Sequence, residues 1–386
     1  MGFSDIGCYG SEIPTPGIDR MAACGLRYTQ MYSNARCCPS RASLLTGLYP
    51  HQAGVGHMTG NIGIPEYQGY LNENCLTLAE GLKNCGYRTG IVGKWHVGGE
   101  YGHREEAGSI AGQEGYPTPL QRGFDRFYGT LEGAGNYYNP VTLTEDGKWL
   151  SVKPSEDFYY TEKIAEKSCE YIRQFSGGGN PYFLYVAFNA PHWPLHAREK
   201  DIREREGSYL CGWDEVRRQR YRRQVEMGLV RDIWDMSPRD EESPDWDSVE
   251  EKDWEDIKMA VYAAQVMEMD RAVGQIMEAV QDTGEEEDTV FLFLSDNGAC
   301  AEELPPDGWV MNFAEGMTLD GRPVAVGNQT RKRPGGEDTY ISYGLPWANV
   351  SNTPFRLFKH WIHEGGIASP FVVQWKKGIR EKGVLR

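Results

Sequence analysis

The strongest constraint on the fold is a unit that occurs three times, in which a helical segment leads into a short apolar strand. The strands cover residues 87–92, 182–188 and 289–294, and polar residues follow each strand at once. Ligands of open α/β sheets gather at the carboxyl ends of the strands. The pattern therefore predicts an α/β fold in three layers, with a mostly parallel, mixed central sheet flanked by helices.

Composition excludes several functional classes. The chain has 386 residues, 40% of them hydrophobic, and a net charge of -16. This acidity argues against a nucleic-acid partner, although a local basic pocket could still hold an anion. No apolar run reaches the length of a membrane span. The nine cysteines are odd in number and lack the spacing of a metal finger, so we expect no disulfide framework.

Two segments lie outside the repeated units. Residues 100–121 are polar and rich in glycine, which predicts a loop. Residues 198–256 are dense in charges of both signs and predict a charged helical insertion. We expect most of its charges to be solvated and to form surface ion pairs.

A polar turn at residues 37–47 runs into an apolar helical start and reads Cys-Cys-Pro-Ser-Arg-Ala-Ser-Leu-Leu-Thr-Gly. The N-terminus of a helix offers free backbone N–H groups and the positive end of the helix dipole, which together suit an anion. Arg41 adds a guanidinium that matches sulfate, phosphate or carboxylate. The alternative is a buried pair of cysteines beside a structural turn.

Further candidates follow the three strands. Lys94 and His96 are two residues apart, so in extended geometry both side chains point to one side and could share an anion. His192 supplies an imidazole that titrates near neutral pH. Asp296 and Asn297 offer hard oxygen donors, which suit calcium or magnesium better than zinc. The alternatives are a surface lysine beside a hydrogen-bonded histidine, a histidine bonded within its own turn, and a simple Asp-Asn-Gly turn.

The segment at residues 37–47 resembles the signature of the type I sulfatases, the formylglycine-dependent arylsulfatases, and is closest to the bacterial enzymes. In that family the first cysteine is oxidised to formylglycine. The proline two places later and the arginine four places later imply that Cys37, and not Cys38, is modified. A hydrated aldehyde carries two hydroxyl groups on one carbon, so that one can attack sulfur and the other can later expel sulfate.

The resemblance extends to the other motifs and to Lys359, which lies five residues before a Glu-Gly-Gly turn. It implies an alkaline-phosphatase-like fold and a bound Ca²⁺, with Mg²⁺ as the alternative. It also implies roles for eight residues. The implied catalytic residues are Cys37, Arg41, Lys94, His96, His192 and Lys359; the implied sulfate- and substrate-binding residues are Arg41, Lys94, His192 and Lys359; the implied metal ligands are Asp296 and Asn297.

The resemblance implies hydrolysis of a small-molecule or glycan sulfate ester to an alcohol or phenol and inorganic sulfate. It further implies a maturation partner, either a formylglycine-generating enzyme or an anaerobic sulfatase-maturating enzyme. Two alternatives stay open. One is a phosphonate or phosphate ester hydrolase of the same superfamily, and the other is an inactive sulfatase-like fragment.

The ends of the chain depart from the family pattern. Sulfatases have an apolar strand and two metal-binding aspartates before the segment that resembles residues 1–10, and a helix and a small antiparallel sheet after the last strand. We therefore expect residues 1–386 to be the catalytic N-terminal domain, incomplete at both ends. A signal peptide would precede such a start, so the compartment stays open between cytoplasm and periplasm.

Overall fold

The computed structural model describes residues 1–102, 104–305 and 316–386. The helices in these ranges are α1 (Pro16–Ala23), α2 (Cys37–Thr46), α3 (Leu78–Asn84), α4 (Arg104–Ile110), α5 (Tyr160–Phe175), α6 (Glu199–Arg205), α7 (Trp213–Glu226), α8 (Lys252–Asp282), α9 (Gly344–Ser351) and α10 (Glu364–Ile367). No helix in the described ranges combines the length and the apolar character that crossing a membrane requires.

The strands form two main sheets and one small one. They are β1 (Leu26–Tyr32), β2 (Arg88–Gly93), β3 (Arg126–Thr130), β4 (Leu143–Glu145), β5 (Lys148–Trp149), β6 (Tyr182–Ala187), β7 (Phe291–Leu294), β8 (Ala325–Val326), β9 (Thr339–Tyr340), β10 (Ala368–Gln374) and β11 (Val384–Leu385). The five-stranded sheet has the order β5-β4-β3-β2-β6, and the four-stranded sheet has the order β11-β1-β10-β7.

The three helix–strand units are confirmed as α3–β2, α5–β6 and α8–β7. Strand β2 lies parallel to β3 and to β6, with Ile91 opposite Phe127 and Tyr185. Strand β7 lies in the other sheet, where it pairs antiparallel with β10. Both main sheets are mixed, because β4 pairs antiparallel with β3 and β11 pairs parallel with β1. The predicted α/β class is confirmed. The parallel pairs are β2 with β3 and with β6, β1 with β11, and β8 with β9.

Strands β6 and β7 both pack on one apolar cluster between α5 and α8. The buried members of this cluster are Cys169, Ile172, Ile276, Ala279 and Val280. Within the described ranges, β6 is an edge strand of the five-stranded sheet and β7 is an edge strand of the four-stranded sheet. The shared helical layer therefore holds the carboxyl ends of β6 and β7 on the same side of the molecule, where the candidate site lies.

Helix α8 is the central helix of the fold. Its 31 residues are buried over most of their length, because α1, α5 and α6 all pack against it. It also caps α1, since the Asp270 carboxylate accepts hydrogen bonds from the backbone N–H groups of Gly17 and Ile18 at 2.9 and 2.7 Å. Burial raises the pKa of Asp270 to about 6. The cap fixes α1 to the centre of the domain.

The loop predicted for residues 100–121 is wrong in part. The structure contains α4 there, and a 3₁₀ helix at Pro119–Arg122 closes the segment. Thr118 and Gln121 form a capping box with a proline at the start of this helix, which is the local reason that it forms. His103, which the sequence suggests to be structural or exposed, lies outside the described residues.

The solvated character predicted for residues 198–256 is also wrong in part. The segment forms α6, α7 and the start of α8, as the helical prediction requires. Arg220, however, is completely buried and binds Asp5 at 2.8 Å and Glu12 at 2.7 Å. Helix α7 is therefore held against the N-terminal segment by charged groups inside the protein. Composition alone could not separate this helix from a solvated one.

Candidate active site

The candidate site lies where α2 begins and where β2, β6 and β7 end. Helix α2 starts at Cys37, and Arg36 precedes it as an N-cap residue without a side-chain capping bond. Cys37, Cys38 and Arg41 are all buried. The first turn of α2 thus points free backbone N–H groups and a positive dipole end at the site. This is the environment predicted for the residue 37–47 segment.

Arg41 joins α2 to two of the strand ends. Its Nε and Nη2 atoms each lie 2.9 Å from Oδ2 of Asp296, which follows β7. Its Nη1 donates to the carbonyl of Lys94, which follows β2, at 2.9 Å. Burial opposes ionisation of Asp296, but Arg41 and Lys94 outweigh it and lower the pKa of this carboxyl. The pair brings the predicted anion-binding arginine and the predicted metal ligand together.

Lys94 and His96 both face Cys37, although not for the geometric reason that the sequence suggests. His96 has a φ of 58°, in the left-handed region, so the chain is not extended there. Its imidazole lies directly over Gly133, where a Cβ atom would come within 1.9 Å of Cε1. Both Lys94 and His96 interact electrostatically with Cys37. The prediction that they share one centre therefore holds, while the extended conformation assumed for it is wrong.

The side chain of residue 37 sits where negative charge is stabilised. The pKa of the Cys37 thiol is lowered well below its usual value, chiefly by a hydrogen bond from the Cys38 thiol. Lys94 and His96 lower it further, against the opposing effect of burial. The surroundings of this position therefore favour an anion at the side chain that α2 presents first.

A second group of side chains lies beside the first. Lys359 Nζ lies 3.4 Å from His192 Nε2 and 3.3 Å from Glu302 Oε1. Lys359 is buried, and its position is fixed by its backbone N–H, which donates to the Ala299 carbonyl at 2.9 Å. Both Lys359 and His192 interact electrostatically with Cys37. The structure thus brings all six predicted catalytic residues to one centre.

Hydrogen bonds determine the tautomer of His192. Its Nδ1 lies 2.8 Å from the carbonyl oxygen of Trp193, which can only accept, so Nδ1 carries the proton. Nε2 therefore presents a lone pair to the Lys359 ammonium. Burial and the neighbouring Lys359 lower the pKa of His192, which keeps the imidazole neutral.

Glu302 is a site residue that the sequence analysis missed. Its Oε2 accepts a hydrogen bond from Trp193 Nε1 at 2.6 Å, and its other oxygen faces Lys359. Burial opposes ionisation, but Lys359 and His192 lower the pKa of this carboxyl below its usual value. The carboxylate therefore holds Lys359 and the His192 loop together. No motif marks it, and only its position four residues after Gly298 could have suggested it.

Gly298 explains why the loop after β7 can reach the Glu-Gly-Gly turn. A Cβ atom at this position would lie 1.7 Å from the Gly365 carbonyl oxygen, so only glycine fits. Its backbone N–H donates to the Gly366 carbonyl at 3.0 Å. This close contact holds the loop that carries Asp296 against the turn that follows Lys359.

Asp296 and Asn297 match a hard cation in chemistry but make up only part of a ligand set. The Asp296 carboxylate is bound by Arg41, and the Asn297 amide Nδ2 donates to the Gly298 carbonyl at 2.7 Å. Calcium takes about six to eight oxygen ligands. Among the residues that the structure describes, no cluster of three or more carboxylate or histidine ligands includes Asp296. The two residues therefore fit a metal by donor type but not by number.

The remaining histidines of the described ranges are structural or exposed. His196 is fully buried and accepts from the Tyr137 N–H at Nδ1, while Nε2 lies 2.7 Å from the Thr339 carbonyl. Both ring nitrogens are therefore used in structural bonds. His51, His57, His360 and His363 are exposed.

Buried cations at the strand ends of this α/β fold form a site that suits an anionic group. The sulfatase family profile matches residues 1–384. The chain is 32% identical to an arylsulfatase of Klebsiella aerogenes, over 100% of this chain and 80% of that protein. The chain therefore belongs to the sulfatase family, whose members hydrolyse sulfate esters, and it is a sulfuric ester hydrolase by class.

Solved structures show the same fold. The crystal structure of Ps i-CgsB in complex with k-i-k-neocarrahexaose has a TM-score of 0.62 and 23% identity, and this chain spans 65% of its length. A phosphonate monoester hydrolase of Agrobacterium radiobacter has a TM-score of 0.53 and 19% identity, with all of this chain and 68% of that one covered. Sulfatases generally use formylglycine and a divalent metal.

Proposed function

We propose that this chain hydrolyses sulfate monoesters of small molecules or glycans, with residue 37 as formylglycine. The observation that carries the proposal is the electrostatic setting of Cys37. Its side chain lies at the start of α2, among Lys94, His96 and Lys359, and its own pKa is lowered. A site that stabilises negative charge on this side chain suits a nucleophilic oxygen there and an anionic group beside it.

The first role of the chain is to hold the sulfate group. Arg41, Lys94 and Lys359 all interact electrostatically with the side chain of residue 37, and they would offset the charge on the sulfuryl oxygens. Formylglycine, as the hydrated aldehyde, would supply the attacking hydroxyl group and a second hydroxyl group for sulfate release. Positioned charges of this kind usually make the largest catalytic contribution.

His96 is proposed to move the proton of the residue 37 side chain. Its Nδ1 atom is buried and has no hydrogen-bond partner among the described residues, so it is not committed to a structural bond. Burial lowers its pKa, although Cys37 raises it, and the imidazole is therefore neutral and able to accept a proton. The ring occupies the space that a side chain at position 133 would need.

Lys359 and His192 are proposed to serve the leaving group. The Lys359 ammonium can donate to the ester oxygen, and the neutral His192 next to it can bind the departing alcohol or exchange a proton with the lysine. Glu302 is proposed as a positioning residue, since it contacts Lys359 directly and the His192 loop through Trp193. These three residues form the leaving-group side of the site.

Asp296 and Asn297 are proposed as the two metal ligands that this chain supplies, with Ca²⁺ as the ion and Mg²⁺ as the alternative. Carboxylate and amide oxygens are the donors that both ions prefer. Because two donors do not complete a shell, we assign the metal no step in the reaction. We further propose a formylglycine-generating or anaerobic sulfatase-maturating enzyme as the partner that converts Cys37.

The test uses the full chain produced with a formylglycine-generating enzyme. Peptide mass spectrometry measures conversion at residue 37, and nitrophenyl sulfate and nitrophenyl phosphate are compared as substrates. We expect turnover of the sulfate ester and its loss in Cys37→Ala. Cys169→Ser is the matched control, because this buried thiol lies in α5 and donates to the Gln275 carbonyl at 3.6 Å, away from the site.

Each outcome separates the alternatives. Turnover by Cys37→Ala would refute the nucleophile assignment. Faster turnover of the phosphate ester would favour the phosphate or phosphonate hydrolase. Complete conversion at residue 37 without turnover of either ester would favour an inactive sulfatase-like chain.

A further inference from the structure

A cluster of soft ligand atoms lies at the start of α2. One ligand atom from each of Cys37, Cys38 and His96 lies within 4.8 Å of the others, and all three residues are buried. It is the sole group of three or more such side chains in the described ranges. The thioether of Met58 adds a fourth soft atom, 3.8 Å from the Cys38 Sγ.

The spacing of these atoms suits a small tetrahedral ion. With Zn–S and Zn–N bonds of about 2.3 and 2.0 Å, neighbouring ligand atoms of a tetrahedron lie about 3.5–3.8 Å apart. The Cys38 Sγ lies 3.3 Å from His96 Nε2 and 3.8 Å from Met58 Sδ. Both separations agree with such a tetrahedron to within a few tenths of an ångström.

The charge balance also suits a zinc ion and not calcium. Two thiolates neutralise a divalent cation, so the bound cluster adds no net charge beside Lys94 and Arg41, which both interact with these thiols. Thiolate, thioether and imidazole are soft or borderline ligands that select zinc over calcium. The oxygen donors of Asp296 suit a hard ion such as calcium instead.

We propose that the chain with cysteine at position 37 binds one Zn²⁺ through Cys37, Cys38 and His96, with Met58 beside the fourth position. Binding leaves both sulfur atoms as thiolates and releases the protons that the two thiols still carry, with no change of oxidation state. Conversion of Cys37 to formylglycine removes one of the three ligands. The site therefore belongs to the unconverted chain alone.

This inference does not depend on sulfatase activity and is tested by binding. The full chain is produced without a maturating enzyme, and peptide mass spectrometry verifies cysteine at position 37. Zn²⁺ is titrated in competition with a chromogenic chelator, and proton release is followed in weak buffer. We expect one equivalent of Zn²⁺ and the release of between one and two protons, because the pKa of the Cys37 thiol is already lowered. With Co²⁺ we expect a thiolate-to-metal charge-transfer band.

Variants identify the ligands. Cys37→Ser and Cys38→Ser change one atom each, and we expect each to weaken Zn²⁺ binding about 100-fold and to remove the Co²⁺ band. Cys169→Ser is the control and should bind like the parent. Thermal unfolding without metal verifies that every variant is folded.

Two results would overturn the proposal. One is stoichiometric Zn²⁺ binding that survives both serine variants. The other is equally tight binding by the converted chain, since conversion removes the Cys37 sulfur. If Asp296→Asn instead abolishes binding, the ion occupies the oxygen-donor position and the thiol site is rejected.

Discussion

Replacing Glu302 with glutamine removes one negative charge from the leaving-group side of the site and keeps the shape of the side chain. In the parent, Glu302 lies 3.3 Å from Lys359 Nζ and accepts from Trp193 Nε1 at 2.6 Å. Glutamine retains an acceptor for Trp193 and loses the ion pair. The variant therefore isolates the effect of the carboxylate charge on Lys359.

The structure gives the size and the sign of the expected effect. A hydrogen bond to a charged group contributes about 1.5–3 kcal/mol, which corresponds to about 10- to 150-fold in kcat/KM. Burial alone would lower the pKa of Lys359, and Cys300 and Glu302 together raise it above its usual value. Without Glu302 the pKa of Lys359 falls, so activity that needs the ammonium is lost at a lower pH on the alkaline side.

The assay is a pH profile of kcat/KM for nitrophenyl sulfate, measured on the converted chain. We expect the alkaline limb of Glu302→Gln to move to lower pH, with a larger fall in kcat than a rise in KM. Glu303→Gln is the matched control, because this neighbouring carboxylate binds Asn328 and is exposed. A uniform loss of activity with an unmoved alkaline limb would refute the reasoning, because it would indicate a structural role only.

Two further predictions concern the metal ligands and the buried ion pairs. Millimolar Ca²⁺ should raise the unfolding temperature of the parent, whereas Asp296→Asn should lose this shift; an equal shift in both would place the ion elsewhere. Arg220→Ala should lower the free energy of unfolding by about 3–5 kcal/mol, because it leaves buried Asp5 and half-buried Glu12 without this partner. Arg218→Ala, which removes an exposed pair on the same helix, should cost less than about 1 kcal/mol in the same denaturant titration. Arg220 outweighs the effect of burial and lowers the pKa of Glu12. The stabilisation from this ion pair is therefore present above the pKa of Glu12 in the unfolded chain, and it is lost as pH falls through the lower pKa of the folded state. If the stability of Arg220→Ala fell with acid pH in the same way as that of the parent, this prediction would be contradicted.

Local patterns predicted most of the fold. The apolar runs that form β2, β6 and β7 are short and follow helical segments, and such units place polar residues at one edge of a sheet. For this reason the sequence pattern alone predicts that Lys94, His192 and Asp296 lie near one another. The antiparallel pairing of β7 with β10 could not be predicted, because it depends on contacts between strands far apart in the chain.

The residues that were missed or misjudged all depend on long-range packing. Glu302 becomes a site residue because Trp193, 109 positions away, donates to it and because Lys359, 57 positions away, lies beside it. Arg220 is charged like its neighbours on α7, and only the approach of Asp5 and Glu12 from the N-terminal segment makes it an internal residue. His96 needs a glycine at position 133, which no spacing rule within its own motif indicates.

The same packing explains how three cations can stay buried at one centre. An unpaired buried charge is costly, and two cations of this site have a carboxylate partner supplied by a different element. Arg41 binds Asp296 at the end of β7, and Lys359 binds Glu302. Lys94 has no such carboxylate among the described residues, and burial lowers its pKa. The carboxylates of Asp296 and Glu302 reduce the loss of stability that results from burying these cations. They also fix the positions of Arg41 and Lys359 before substrate binds. Sulfate then meets donors that need no reorganisation, which is the condition under which electrostatic stabilisation of a transition state is largest.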